Sequence, residues 1–139
     1  MKDLTEVLDI LKRAQLLTIS SLAADGSPQS ALVGFAETPE AGIIFYTPDS
    51  SRKYSNLKRD PRTSVVIGGD SMVTLQYEGT ASELSGAELD RSKEVYFAKL
   101  PFARGYANLP GSTFFKITPT WLRLTDLNQR PARTQEYEV

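Results

Sequence analysis

The apolar positions of this chain change period along its length, and those changes mark out its elements. Leu4, Val7, Leu8, Leu11 and Ala14 recur at helical spacing, with Lys2, Glu6, Asp9, Lys12 and Arg13 on the other side, which predicts an amphipathic helix over residues 3–14. Its expected role is to pack over one end of a sheet. From Leu16 the pattern becomes strand-like. Leu16–Leu22 reads as a strand, Asp25-Gly26 as a hairpin turn and Pro28–Glu37 as the return strand. Ala31, Val33 and Phe35 fall on one face of that strand, Leu32 and Gly34 on the other. A glycine there suggests a bulge or the close approach of something flat. Residues 38–42 are a loop, Ile43–Thr47 is a strand rich in β-branched and aromatic residues, and a helix from Ser51 to about Arg59 stops at Asp60-Pro61.

The second half repeats the short-strand pattern. Thr63–Ile67, nearly all β-branched, reads as a buried strand, Gly68-Gly69-Asp70 as a turn, and Met72–Leu84 as a long strand in which Gly79 marks a bulge or barrel corner. Ser85-Gly86-Ala87-Glu88 fits a capping box and opens a helix to about Leu100, which Pro101 ends. A loop runs on through Gly111; its Phe102, Arg104 and Tyr106 are candidates for contact with a substrate or a second subunit. Thr113–Thr118 and Trp121–Thr125 read as closing strands split by Pro119, and residues 127–139 as a polar, proline-broken tail, loosely ordered or wrapped on a neighbour. Six to seven short strands with about three peripheral helices predict a mainly β (α+β) fold, a small antiparallel barrel over residues 1–126 followed by the tail.

Composition narrows the chemistry. The chain has no cysteine and no histidine. Disulfides, thiol catalysis, Ser-His-Asp chemistry and the commonest metal ligands are thereby excluded, and a reducing cytoplasm is the expected location. No long apolar run or signal-peptide pattern is present, so no membrane role is expected. A net charge of −1 argues against a general nucleic-acid binder. A bound organic cofactor becomes the natural source of any demanding chemistry.

One stretch offers a place for it. Ile43-Ile44-Phe45-Tyr46 leads into Thr47-Pro48-Asp49-Ser50-Ser51 and then Arg52-Lys53-Tyr54. Ser50 or Ser51 can cap the helix. The first turn of a helix favours Asp or Glu, yet here it carries Arg52 and Lys53. Free backbone N–H groups, serine hydroxyls, a guanidinium and an ammonium together suit a phosphate; two solvated side chains on a surface helix are the plainer reading. Lys58, Arg59 and Arg62 lie near the other end, where cations suit the helix dipole, and read as structural or surface residues.

The run of strand, Tyr-Thr, turn, Ser-Arg-Lys, helix and Asp60-Pro61-Arg62 resembles the pyridoxamine-phosphate oxidase-like, FMN-binding split-barrel family. The resemblance extends in layout from Leu16 to Asp126, with specific motifs between Phe45 and Arg62. It implies a homodimer with cofactor sites at the interface. Tyr46, Thr47, Ser51, Arg52 and Lys53 would hold FMN and its phosphate, and the backbone of Ala31, Leu32, Val33 and Gly34 would meet the ring. Thr74 stands where the family often places a polar residue near the flavin, and Trp121 in a region whose aromatic can approach it, often from the partner; an ordinary sheet threonine and a tryptophan packed in the core or an interface are the alternatives. An Arg and a Lys common on the ring-lining strand are replaced by Ala31 and Ala36, which leaves a deazaflavin or haem open beside FMN.

The implied function is an FMN-dependent oxidoreductase acting on a small-molecule substrate by hydride transfer at the flavin, which needs few protein acids or bases. True pyridoxamine-phosphate oxidases carry an Arg–His substrate motif and a longer C-terminal segment. This chain has no histidine and does not match past Trp121, so another substrate is expected. A non-catalytic flavin, deazaflavin or haem binder on the same barrel is the alternative. A single-stranded nucleic-acid module is disfavoured by charge and by the absence of interleaved aromatics.

Overall fold

The computed structural model describes residues 3–69 and 71–139. Lys2, on the polar side of the first helix, and Asp70, of the Gly-Gly-Asp turn, lie outside the described residues. The elements run α1 (Thr5–Arg13), β1 (Leu16–Leu22), β2 (Pro28–Glu37), β3 (Ile43–Pro48), α2 (Arg52–Arg59), β4 (Arg62–Gly68), β5 (Val73–Glu83), α3 (Gly86–Lys99), a 3-10 turn (Pro101–Gly105), β6 (Ser112–Asp126) and β7 (Arg133–Glu138). Among the described residues no helix is long and apolar enough to cross a membrane.

All neighbouring strands are antiparallel, in the order β3-β2-β1-β4-β5-β6-β7. An additional β3–β6 pairing closes the first six strands into a barrel. The closure is uneven. β3 pairs with β2 only through Phe35↔Phe45, Ala36↔Ile44 and Glu37↔Ile43, whereas it pairs with β6 from Ile43↔Ile117 to Pro48↔Ser112. β2 therefore leaves β3 before its N-terminal half, and the barrel is split there.

The barrel interior holds Leu17, Ile19, Phe35, Phe45, Leu75, Tyr77, Phe115 and Leu122, with Val7, Ile10 and Leu11 of α1 closing it. Phe45 and Phe115 stack at 5.6 Å. Alternation turns the other faces of β2 and β3 outward, where Ala36 and Ile44 form a second core with Phe114 and with Tyr96, Phe97 and Leu100 of α3 and the turn after it. β3 is thus buried on both faces, which accounts for its unbroken apolar run.

Four expectations change. Residues 112–126 form one strand rather than two, because Pro119 sits at a bulge opposite Gly79 instead of ending the strand. Below the bulge β6 pairs with β3; beyond it, with β7. The polar tail contains that seventh strand, paired from Trp121↔Glu138 to Asp126↔Arg133, with Tyr137 buried. β4 alternates between exposed and buried positions, with Val66 44% exposed, so it is buried on one face only. The Ser85 side chain makes no cap hydrogen bond, and Gly86 takes φ 61°, outside the helical range. The last loop candidates lie in and after a 3-10 turn.

Gly79 is required by contact as well as by the bulge. A Cβ there would lie 2.4 Å from the Thr118 carbonyl oxygen and 2.8 Å from Ile117 Cγ2. Gly79→Ala is expected to destabilise the fold by about 1–3 kcal/mol, the usual range for overpacking. Chemical denaturation should show this as a lower midpoint at an unchanged slope.

Candidate functional site

The turn between β3 and α2 is set by local hydrogen bonds. The Ser51 N–H donates to the Pro48 carbonyl at 3.0 Å, closing the turn. Ser51 is the N-cap of α2, and its Oγ accepts from the Tyr54 N–H at 3.1 Å. That oxygen also lies 2.6 Å from Oγ1 of the buried Thr47. One hydroxyl hydrogen is used between the pair, which leaves the other free to donate. Thr47 is held in turn because its carbonyl accepts from the Thr113 hydroxyl. The N–H groups of Arg52 and Lys53, in the first turn of α2, have no partner within the helix.

Four residues of α2 tie it to β1, β2 and β5. Tyr54 Oη and Lys58 Nζ both donate to Glu83 Oε1, each at 3.0 Å. Asn56, 5% exposed, donates from Nδ2 to Ser21 Oγ at 3.1 Å and to Gln29 Oε1 at 2.9 Å. Arg59 donates to Asn56 Oδ1 and to the Leu22 carbonyl. Arg62 forms a bidentate pair with Asp60, whose carboxyl that hydrogen bonding holds down at about 2. Lys58, Arg59 and Arg62 are therefore structural, as their position in the sequence predicts.

Arg52 and Lys53 differ from them. Among the described residues neither has a carboxylate within ion-pair distance, whereas Lys58, Arg62, Lys99, Lys116, Arg123 and Arg133 all do. Lys53 is half-buried, and its ammonium is pushed below the usual lysine range, first by burial and then by Arg52. The two side chains line a small cleft of about 110 Å³ with Gln29, Ser30 and Ala31 of β2.

The open edge of β2 adjoins this cleft. The Phe35 N–H donates to the Gln15 carbonyl on the β1 side, while the Gly34 carbonyl accepts from Tyr96 Oη at 3.4 Å on the other. Because backbone groups alternate along a strand, those of Ser30, Leu32 and Gly34 turn away from β1, toward the side that β3 has left. Beside Gly34 the chain's own atoms fill the space: a Cβ there would meet Leu100 Cδ1 at 3.1 Å and Tyr96 Oη at 3.5 Å. Val33 is buried in the core, and its backbone faces β1, so it presents nothing to the opening. Ala36 lies in the second core under α3. Tyr46 is half-buried on the same side, its ring 5.8 Å from Tyr106 and 5.9 Å from Phe114. Burial raises the Tyr96 phenol beyond its usual range, with Tyr106 and Tyr46 adding to the shift. Of the other loop candidates, Arg104 packs over the Phe97 ring at 4.8 Å and Phe102 is exposed.

Thr74 and Trp121 belong to a different face. Thr74 pairs with Thr125, and Trp121 pairs with Glu78 and lies beside Arg123 and Glu136. The register places them on the outer surface of β5 and β6, in rows with Gly68 and Ser64 of β4. One chain does not bring them to the Arg52–Lys53 cleft.

The comparisons agree with this layout. The family profile described as pyridoxamine 5'-phosphate oxidase matches residues 4–126. The chain belongs to the pyridoxamine 5'-phosphate oxidase family. A curated family member, the pyridoxine/pyridoxamine 5'-phosphate oxidase of Cyanothece sp., is 30% identical over 87 residues, 62% of this chain and 39% of the relative. The chain thus spans well under half of that relative's length. Two solved structures share the family fold. A heme binding protein from Mycobacterium smegmatis superposes with a TM-score of 0.83 at 16% identity, over 99% of this chain and 59% of the other. A pyridoxamine 5'-phosphate oxidase-related, FMN binding protein from Nostoc punctiforme gives 0.76 at 13% identity, over 99% and 91%. At such identities the likeness is one of fold.

Within this family fold, Gln29 and Ser30, which line the cleft, and Asn56, which supports it, were not among the residues expected from the sequence; of these, Gln29 and Asn56 stand out. The sequence does carry a signal for both. Gln29 shares the inward face of β2 with Ala31, Val33 and Phe35, and Asn56 sits beside Leu57 on the buried side of α2. A polar residue at an apolar position needs a partner. Ser51→Ala should cost about 1 kcal/mol of stability by removing the cap. Ser51→Asp, an equally good N-cap, should restore most of that loss in the same thermal or chemical melt.

Proposed function

We propose that this chain is an FMN-binding flavoprotein, an oxidoreductase acting on a small molecule, and that it works as a homodimer. The observation that carries the reading is the Arg52–Lys53 couple at the start of α2, which has no carboxylate partner among the described residues. Both causes that depress the Lys53 ammonium, burial and the neighbouring guanidinium, are offset by an anion set between the two cations. The donor set suits a phosphate ester: a guanidinium fork, an ammonium, two helix N–H groups and one hydroxyl. The cleft of about 110 Å³ suits the phosphate group rather than the ring. The ring is assigned to the split beside it, where the backbone of Leu32 lies open and Tyr46 offers an aromatic face.

FMN, when held, supplies the redox chemistry. The chain's own residues bind and orient it. Arg52 and Lys53 neutralise the phosphate, Ser51 and the first turn of α2 donate to it, and Thr47 fixes the Ser51 hydroxyl. Flavin is favoured over haem by the side chains present. The chain has no histidine or cysteine, so two of the common protein ligands of haem iron are missing.

The second copy is assigned to the outer face of β2, β1, β4, β5 and β6. Leu16, Leu32 and Val66 are 53%, 66% and 44% exposed. Leu32 and Val66 flank Thr18 in adjacent strands, so they form one apolar surface. Thr74 and Trp121 share that outer face, and a partner covering it is how they would reach a cofactor.

The test of the cofactor reading is the double variant Arg52→Ala/Lys53→Ala. Its affinity for FMN should fall by about a hundredfold or more, as the loss of two charge-assisted contacts predicts. Its affinity for riboflavin, which lacks the phosphate, should stay near the wild-type value. Equal affinity of variant and wild type for FMN would place the phosphate elsewhere. For the dimer, light scattering should give twice the chain mass, and Leu32→Lys/Val66→Lys should give a folded monomer with weakened FMN retention. A wild-type monomer that holds FMN would contradict the interface.

A further inference from the structure

We infer that Gln29 is a phosphate-specific donor of this site, held with its amide nitrogen toward the cleft by a chain of hydrogen bonds that starts at Arg59. The inference rests on the phosphate reading of the Arg52–Lys53 cleft and adds a residue to it.

Direction along the chain of bonds is fixed by the one member that can only donate. A guanidinium has no acceptor. Arg59 Nη2 lies 3.1 Å from the side-chain amide of Asn56, so the atom facing it is Oδ1. Asn56 must then present Nδ2 to its other two partners, Ser21 Oγ at 3.1 Å and the amide of Gln29 at 2.9 Å. A donor at that position requires Gln29 to answer with Oε1. The Gln29 nitrogen is left over. It makes no hydrogen bond among the described residues, and no buried side-chain nitrogen or oxygen lacks a partner, so it reaches open space. Gln29 lines the cleft it shares with Ser30, Ala31, Arg52 and Lys53, and the nitrogen is assigned there. Two N–H donors thus join two cations and no carboxylate on one wall.

The arrangement has a physical purpose that Arg52 and Lys53 do not serve alone. Two cations attract any anion. An amide fixed nitrogen-out adds a direction, and its orientation is set before binding, so little is lost on ordering it. Asn56, 5% exposed, can hold this geometry because solvent does not compete for its bonds. In the same way α2 carries both the cations at its first turn and, one turn later, the residue that aims the third donor at them.

The test separates orientation from structure. Gln29→Glu keeps an oxygen to accept from Asn56 and replaces the free amide nitrogen by a second carboxylate oxygen. Gln29→Met keeps the length and removes both functions. Dissociation constants for FMN and for riboflavin are measured by quenching of flavin fluorescence for the wild type, both variants and Arg52→Ala/Lys53→Ala. The ratio of the two constants isolates the phosphate. The expected result is that Gln29→Glu loses at least about tenfold in FMN affinity with riboflavin unchanged, and Gln29→Met about tenfold, as the loss of a hydrogen bond to a charged group predicts. Equal losses for FMN and riboflavin would show a merely structural role and overturn the inference. So would a wild-type ratio in both Gln29 variants while the ratio collapses in Arg52→Ala/Lys53→Ala, an outcome that leaves the cofactor reading standing. A wild-type ratio in the double cation variant would remove the phosphate from the cleft, and the inference would fall with it.

Discussion

The parting of β2 from β3 shapes both the barrel and the opening beside α2. β3 keeps only the last residues of β2 as partners and gives its remaining length to β6. A strand edge left open inside a small barrel must be covered or used, because unpaired backbone groups are costly to bury. Here α2 is tied to the N-terminal part of β2 through Asn56 and Gln29, α3 packs over Ala36 at its other end, and the segment of β2 between them stays available. Gly79 makes this possible from the far side. Its bulge lets one long strand, β6, close the barrel with β3 in its first half and support β7 in its second.

The placement of charge follows from the same geometry. Cations at a helix N-terminus are unfavourable by a few tenths to about 1 kcal/mol each, and burying Lys53 adds to that. The cost is offset nearby. The cap is worth about 1 kcal/mol, and the bonds of Tyr54, Lys58, Asn56 and Arg59 anchor the helix along its length. α2 is therefore stable without pairing its first two residues. Every other cation close to it, Lys58, Arg59 and Arg62, is satisfied within the chain. The two that are not lie together beside the opening.

Much of this was legible in the sequence because it is local. The Ser51 cap, the misplaced Arg52-Lys53 pair, the Asp25-Gly26 hairpin and the Gly79 corner all rest on neighbours in sequence or on backbone sterics. What was not legible depends on distant partners. Pro119 reads as a strand break until Gly79 is known to lie opposite it. The tail reads as loose because its polar residues hide the single buried Tyr137 that docks it. Gly34 invites a flat ligand, yet Leu100 and Tyr96, more than sixty residues on, occupy the space. Gln29 and Asn56 were visible only as polar residues on apolar faces, a signal that asks for a partner without naming it.

On the proposed reading, this cleft and the split beside it hold a phosphorylated flavin. The most direct measurement is the absorption spectrum of the purified protein after loading with FMN and removal of the excess by gel filtration. The prediction is a flavin spectrum that travels with the protein at about one flavin per chain. A protein that emerges colourless after FMN, and instead retains a Soret band when offered haem, would contradict it.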